Sequence, residues 1–316
     1  MRSLGDWPHW HRPLLAAAAL VAVLTVVCAI GLIVDDRVLT GAPIWLKPLK
    51  FSLSFVVYTL SLAWMLSLST RARRLGWWSG TVVAVAVAVE MALIITQVIR
   101  GKRSHFNQET PFDEAVFSVM GNTVVVLWAA SLVIAVLLMR SPLADRAGAW
   151  ALRLGTVIAL AGAALGFLMT MPTEEQLDKA GDGVPPISGA HNVGVPDGGP
   201  SMPLTDWSTT GGDLRIPHFV GMHALQLLPL LVFALTLLAG RLPRLRAEHT
   251  LVRLTVTASL GYAALVALTT WQALRGQPLL SPDAATLATL AAILTATAAG
   301  VWLSLRSPAP RPVTGP

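Results

Sequence analysis

The sequence predicts an all-α fold, a polytopic membrane bundle of eight transmembrane helices carrying one Gly/Pro-rich extracytoplasmic loop. Three observations lead there. Of 316 residues, 54% are apolar and only 13% charged, about half the charge of an average soluble domain. Eight separate apolar runs are long enough to cross a bilayer, which takes about 20 residues. The basic residues collect between alternate runs. Such a composition, with mean hydropathy +0.64, excludes a disordered chain, a collagen-like fibre and an ordinary water-soluble enzyme. The single cysteine, Cys28, excludes a disulfide framework and a Cys-based zinc site.

The runs are Leu14–Val34, Phe51–Leu68, Trp77–Val98, Ala115–Met139, Trp150–Met171, Pro217–Leu238, Leu254–Leu274 and Ala284–Leu305. In lipid each must satisfy its own backbone hydrogen bonds, so each is expected to be helical. The first run spans 21 residues and no small-x-small cleavage site follows before Asp35 and Asp36; it reads as a retained helix rather than a signal peptide. Residues 1–308 are expected to form one transmembrane domain, with 309–316 a disordered cytoplasmic tail.

Orientation follows from the loops. With both termini in the cytoplasm of a multi-pass cell-membrane protein, the inner segments hold 14 of the 23 Lys and Arg and only 3 of the 17 Asp and Glu, as the positive-inside rule requires. Arginines beside lipid headgroups also account for the pI near 10.2, so membrane lipid is the expected partner and nucleic acid is not. The inner loops are short. The longest outer connection, 172–216, has 45 residues with eight Gly and six Pro, turn chemistry that forbids long helices or strands. Its apolar residues, Ile187, Val193, Val195, Met202, Leu204 and Trp207, predict a folded lid. No strong internal repeat stands out, although a four-plus-four duplication is conceivable.

Polar side chains inside spans are costly and count as functional candidates. Glu90 lies mid-span, about 15 Å below Arg100 at 1.5 Å per residue, with Gln97 on the same face. The sixth run carries His223 and Gln226. The fourth carries Ser118 and Asn122. The second carries Lys47, Lys50, Ser54 and Tyr58 as a stripe. All fall in the outer half of the bilayer, whose mouth adds Arg100, Lys102, Arg103, His105, Asp213, Arg215 and His218. The bland alternative is that these groups bond neighbouring helices or form a solvated rim.

Several chemistries fit. Clustered cations at the mouth (Lys47, Lys50, Arg100, Arg103, Arg215) suit a carboxylate, a phosphate or a lipid headgroup, with Glu90, His223 and Gln226 as a deeper wall. His105, His218 and His223 with Asp213 or Glu109 would make a zinc site on a membrane-embedded, metal-dependent enzyme acting at the outer face. However, His218 and His223 are about 140° apart on a regular helix. Glu90, His223 and Tyr58 would otherwise pass protons. Haem is the less favoured cofactor, because the eight-span layout lacks the paired His-bearing helices of haem A synthase. Gly162 and Gly166 form a small-xxx-small pair suited to packing.

The segments Trp45-Leu46-Lys47-Pro48-Leu49-Lys50-Phe51, Arg103-Ser104-His105-Phe106-Asn107, Gly189-Ala190-His191-Asn192-Val193-Gly194, Asp197-Gly198-Gly199-Pro200 and Gly212-Asp213-Leu214-Arg215-Ile216-Pro217-His218-Phe219 resemble those of an uncharacterised family of bacterial multi-spanning membrane proteins. The resemblance implies a fold and no mechanism, and it marks His191 as a lid residue of interest. The leading expectation is an outward-facing polar pocket that binds or transports a small anionic or amphiphilic ligand. The alternatives are the metal-dependent enzyme and a haem-binding or structural subunit; the sequence sets no oligomeric state.

Overall fold

Eight helices long and apolar enough to cross a membrane order the chain. A computed structural model describes residues 9–306 apart from Ala144; the tail at 309–316, and Arg2, Asp6 and Arg311 of the charge count, lie outside the described residues. The membrane-crossing helices are α1 (Arg12–Val34), α2 (Leu46–Leu68), α3 (Arg73–Arg100), α4 (Pro111–Met139), α5 (Arg146–Ala164), α8 (Arg215–Leu238), α9 (Glu248–Leu274) and α10 (Ala284–Arg306). Two short helices, α6 (Gly166–Met169) and α7 (Glu174–Ala180), follow α5. Most helices begin a few residues before their apolar runs. The extra turns carry polar caps, such as Thr110 accepting from the Asp113 N–H ahead of α4 and Asp145 accepting from the Ala147 N–H ahead of α5, which satisfy donors that a helix end leaves open.

The helices form two groups of four with the same plan. In the first, α1 packs on α2, α3 on α4, and α3 against both α1 and α2; in the second, α5 packs on α8, α9 on α10, and α9 against both α5 and α8. Four crossings per group bring the second back to the face on which the first began, the arrangement of parallel repeats about an axis along the membrane normal. Contacts between α4 and α5 join the groups, reinforced by the Trp128 Nε1–H donating to the Leu160 carbonyl at 3.0 Å.

Local sequence repeats with the topology. Gln97-Val98-Ile99-Arg100-Gly101 ends α3 and Gln272-Ala273-Leu274-Arg275-Gly276 ends α9. Both glycines are left-handed, with φ of 68° and 69°. In each case the glycine N–H and the following N–H return to carbonyls of the last turn, those of Val98 and Gln97 or of Ala273 and Gln272. This double bond is the Schellman closure that only glycine enters without strain. Each arginine then reaches an aspartate at the start of the next helix: Arg100 meets Asp113 at 2.5 Å, and Arg275 meets Asp283.

The two latches differ in burial. The Asp113 side chain is fully buried and also accepts from Gln97 Nε2 and Thr110 Oγ1, whereas that of Asp283 is 38% exposed. Removing one partner of a buried ion pair leaves an uncompensated charge, while an exposed pair contributes little. Because Arg100 is itself partly exposed, Arg100→Ala is expected to lower unfolding stability in detergent by about 2 kcal/mol and Arg275→Ala by under about 1 kcal/mol. Equal losses would contradict the difference.

The second group closes on glycine. A Cβ at Gly162 would lie 2.6 Å from the Gly221 Cα, and one at Gly155 would lie 2.8 Å from the Ala224 carbonyl oxygen. Gly166 faces the His218 ring rather than a helix backbone.

The long loop is folded onto one end of the bundle, called here the lid face. Its Ser188 N–H donates to the Phe106 carbonyl and its Pro186 carbonyl accepts from the Gln108 N–H. Short antiparallel pairings, β1 (Val38–Leu39) with β2 (Ala42–Pro43) and β3 (Asn192–Val193) with β4 (Gly212–Asp213), precede α2 and α8 respectively. Ile187, Val193, Val195, Met202 and Trp207 are half-buried in the lid. Leu204, expected among them, is 83% exposed at a left-handed turn instead.

Candidate functional site

A cavity of about 650 Å³ lies beneath the lid where the two groups meet. The starts of α2 and α8, the α3–α4 connection, α4, α6 and the lid all line it. The repeat supplies matching side chains. Leu46-Lys47-Pro48-Leu49-Lys50-Phe51 opens α2 and Leu214-Arg215-Ile216-Pro217-His218-Phe219 opens α8, so Lys47 corresponds to Arg215, Lys50 to His218 and Phe51 to Phe219. All six line the cavity.

Among the residues singled out from sequence, Lys47, Lys50, Lys102, Arg103, His105, Ser118, Asn122, Arg215 and His218 line this space. The cations are not equivalent. Arg215 is ion-paired with Asp213 at 2.7 Å and Asp206 at 3.1 Å, and the Asp213 carboxylate also accepts from the Ser208 N–H. That cluster ties the lid to α8. The Lys50 Nζ donates to the Thr205 carbonyl at 3.0 Å. Lys47 and Arg103 have no side-chain hydrogen bond or ion pair among the described residues; the Lys47 Nζ stands 5.9 Å from the centre of the Phe51 ring.

The other named residues lie elsewhere. Gln97 and Arg100 belong to the α3 latch. The Tyr58 hydroxyl and Ser131 Oγ join α2 to α4 at 2.5 Å. Gln226 Nε2 donates to Ser61 Oγ at 3.2 Å, linking α8 to α2. His223 is half-buried on α8 and is not part of the cavity wall. The expected deep wall of Glu90, His223 and Gln226 therefore does not form. Glu90 is 1% exposed, and neither carboxyl oxygen has a hydrogen-bond partner among the described residues. It sits one helical turn, about 6 Å, below Ile94, which lines the cavity.

Of the proposed metal set, His105, His218 and His223, only the first two line the cavity. Among the described residues no three His, Cys, Asp or Glu side chains cluster closely enough to hold a metal ion. His191 of the lid lines the cavity beside His105 and His218 instead. Its Nδ1 meets Asp197 Oδ2 at 2.8 Å, and the Asp197 carboxylate also accepts the backbone N–H groups of His191 and Asn192. Loop sequence has no periodicity to reveal such a pairing; the six-residue spacing within a Gly/Pro-rich turn is its only trace. Phe106, at a left-handed φ of 67°, packs its ring between His105 and His191.

Burial lowers the pKa of His105 well below the usual histidine value, and the nearby Lys47 and His191 add to the effect. Burial likewise lowers that of His191, against the opposing pull of Asp197. For Asp197 burial acts upward, but the hydrogen bonds from His191 and the backbone outweigh it and hold the carboxyl at about 2. All three lowered values make the docked lid more stable at neutral pH than in acid. The histidine contribution fades as pH falls below about 6.5, and the carboxylate contribution as pH falls from about 4 towards 2. Hydrogen exchange of residues 189–199 is expected to accelerate across this acid range, beyond the intrinsic pH dependence. Unchanged protection down to pH 3 would contradict it.

No protein-family model, curated protein or solved structure matches the chain.

Proposed function

We propose that this membrane protein binds an anionic amphiphile in the lid-covered cavity, as a binding or transport protein whose lid face is turned away from the cytoplasm. One observation carries the reading. Lys47 and Arg103 line this space without an ion pair among the described residues, although the Asp197 and Asp206 carboxylates share its wall, and a partly buried cation with no direct pair calls for an anion. The remaining wall supports an apolar tail, since Phe51, Ile94, Val98, Phe117, Val125 and Phe167 supply it. A few placed charges in a largely apolar concavity is the usual composition of a small-molecule site. The predominance of arginine on the opposite side supports the orientation.

In dodecyl maltoside, dodecyl phosphate is expected to raise the melting temperature of the purified protein, whereas dodecyltrimethylammonium is not. Equal shifts from both amphiphiles, or none from either, would overturn the reading.

A further inference from the structure

We propose that the cavity holds a second subsite, a pair of hydrogen-bond acceptors formed by Nε2 of His191 and Nε2 of His218, and that the ligand carries a hydroxyl or N–H donor beside its anionic group. The inference rests on the anion reading and adds the chemical class of the headgroup.

The argument is one of tautomers. A neutral imidazole has one N–H and one bare nitrogen. His218 Nδ1 lies 2.8 Å from the Gly162 carbonyl oxygen and His191 Nδ1 lies 2.8 Å from the Asp197 carboxylate. Both partners only accept, so Nδ1 carries the hydrogen in each ring and Nε2 is left as an acceptor. Neither Nε2 has a partner among the described residues, and neither is sealed away from solvent-sized space; both rings line the cavity. His105 is different, because its Nδ1 meets Ser104 Oγ, a hydroxyl that donates or accepts and leaves the tautomer open. Burial lowers the His191 pKa, which favours the neutral ring.

The repeat sharpens the point. Position 50 in the first group is a lysine, which only donates; its counterpart in the second is His218, locked as an acceptor. The cavity thus offers both positive donors and bare nitrogens. A plain alkyl phosphate satisfies the first and leaves the second unmatched, and a site built around a donor discriminates against analogues that lack it.

Two probes with one phosphate and one chain separate the possibilities: 1-O-dodecylglycerol 3-phosphate, with a free hydroxyl, and its 2-O-methyl ether, with none. The hydroxyl compound is expected to bind about tenfold tighter in titrations monitored by tryptophan fluorescence. His191→Phe and His218→Phe, each checked by thermal melt, should bring the affinity ratio towards one. Equal binding of the two probes by the wild type would overturn the proposal, as would a ratio that survives both substitutions. If dodecyl phosphate binds and neither glycerol probe does, this inference falls alone. If dodecyl phosphate fails as well, the anion reading falls with it. Nitrogen-15 spectra of histidine-labelled protein supply a test independent of ligand: Nε2 of His191 and His218 should be unprotonated at pH 7.5, and an Nε2–H in either ring would overturn the assignment.

Discussion

Lys47→Met and Arg103→Met are each expected to weaken dodecyl phosphate binding by about 10- to 100-fold, equivalent to about 1.4–3 kcal/mol. Methionine keeps much of the side-chain volume and removes the charge. Since neither cation has an ion-pair partner among the described residues to leave stranded, the folded protein should tolerate both changes. Arg215→Met offers a contrast. It strands Asp213, whose side chain is fully buried, and so is expected to loosen the lid and lower stability. A titration in which all three substitutions behave alike, or in which Lys47→Met leaves affinity unchanged, would remove the functional distinction drawn between paired and unpaired cations.

The largest structural effect is expected at the α5–α8 crossing. Gly162→Val places a branched side chain where even a Cβ would stand 2.6 Å from the Gly221 Cα. The obstacle is backbone, which cannot rotate aside, so the helices must separate. Overpacking of this kind costs about 3 kcal/mol or more. Separation would also withdraw the Gly162 carbonyl from His218 Nδ1, so the substitution should disturb the cavity wall along with the fold. Differential scanning calorimetry in detergent tests the first effect, and the histidine spectra test the second. A melting temperature within 2 °C of the wild type, a small shift by the usual scaling of stability with temperature, would contradict the close approach.

The fold was readable because lipid imposes it. Apolar length alone locates eight helices, and the structure moves their ends by only a few residues, to where caps such as Thr110 and Asp145 sit. The site was readable in part. Lys47, Lys50, Arg103, His105 and His218 all gather at the cavity because each lies near a membrane boundary on the same side, a property that depth along the chain reveals. Glu90, Gln97, His223 and Gln226 lie in the same half of the bilayer but face other neighbours, and depth does not specify which helix a face will meet. Gln97 and Arg100 could have been placed from sequence by a different signal. The Gln-x-x-Arg-Gly of 97–101 recurs at 272–276, and Leu-(Lys/Arg)-x-x-(Lys/His)-Phe at 46–51 recurs at 214–219. Together these motifs announce the repeat that the apolar background hides. The pairing of His191 with Asp197 left no comparable trace, because it is set by turns whose geometry depends on docking to the bundle.

The most direct test of the anion site is a cryo-electron microscopy structure of the protein saturated with dodecyl phosphate. The phosphate is predicted within hydrogen-bond reach of the Lys47 Nζ and the Arg103 guanidinium, with the alkyl chain along Phe51 and Val98. A phosphate bound away from both cations, or a cavity without density at saturating ligand, would contradict it.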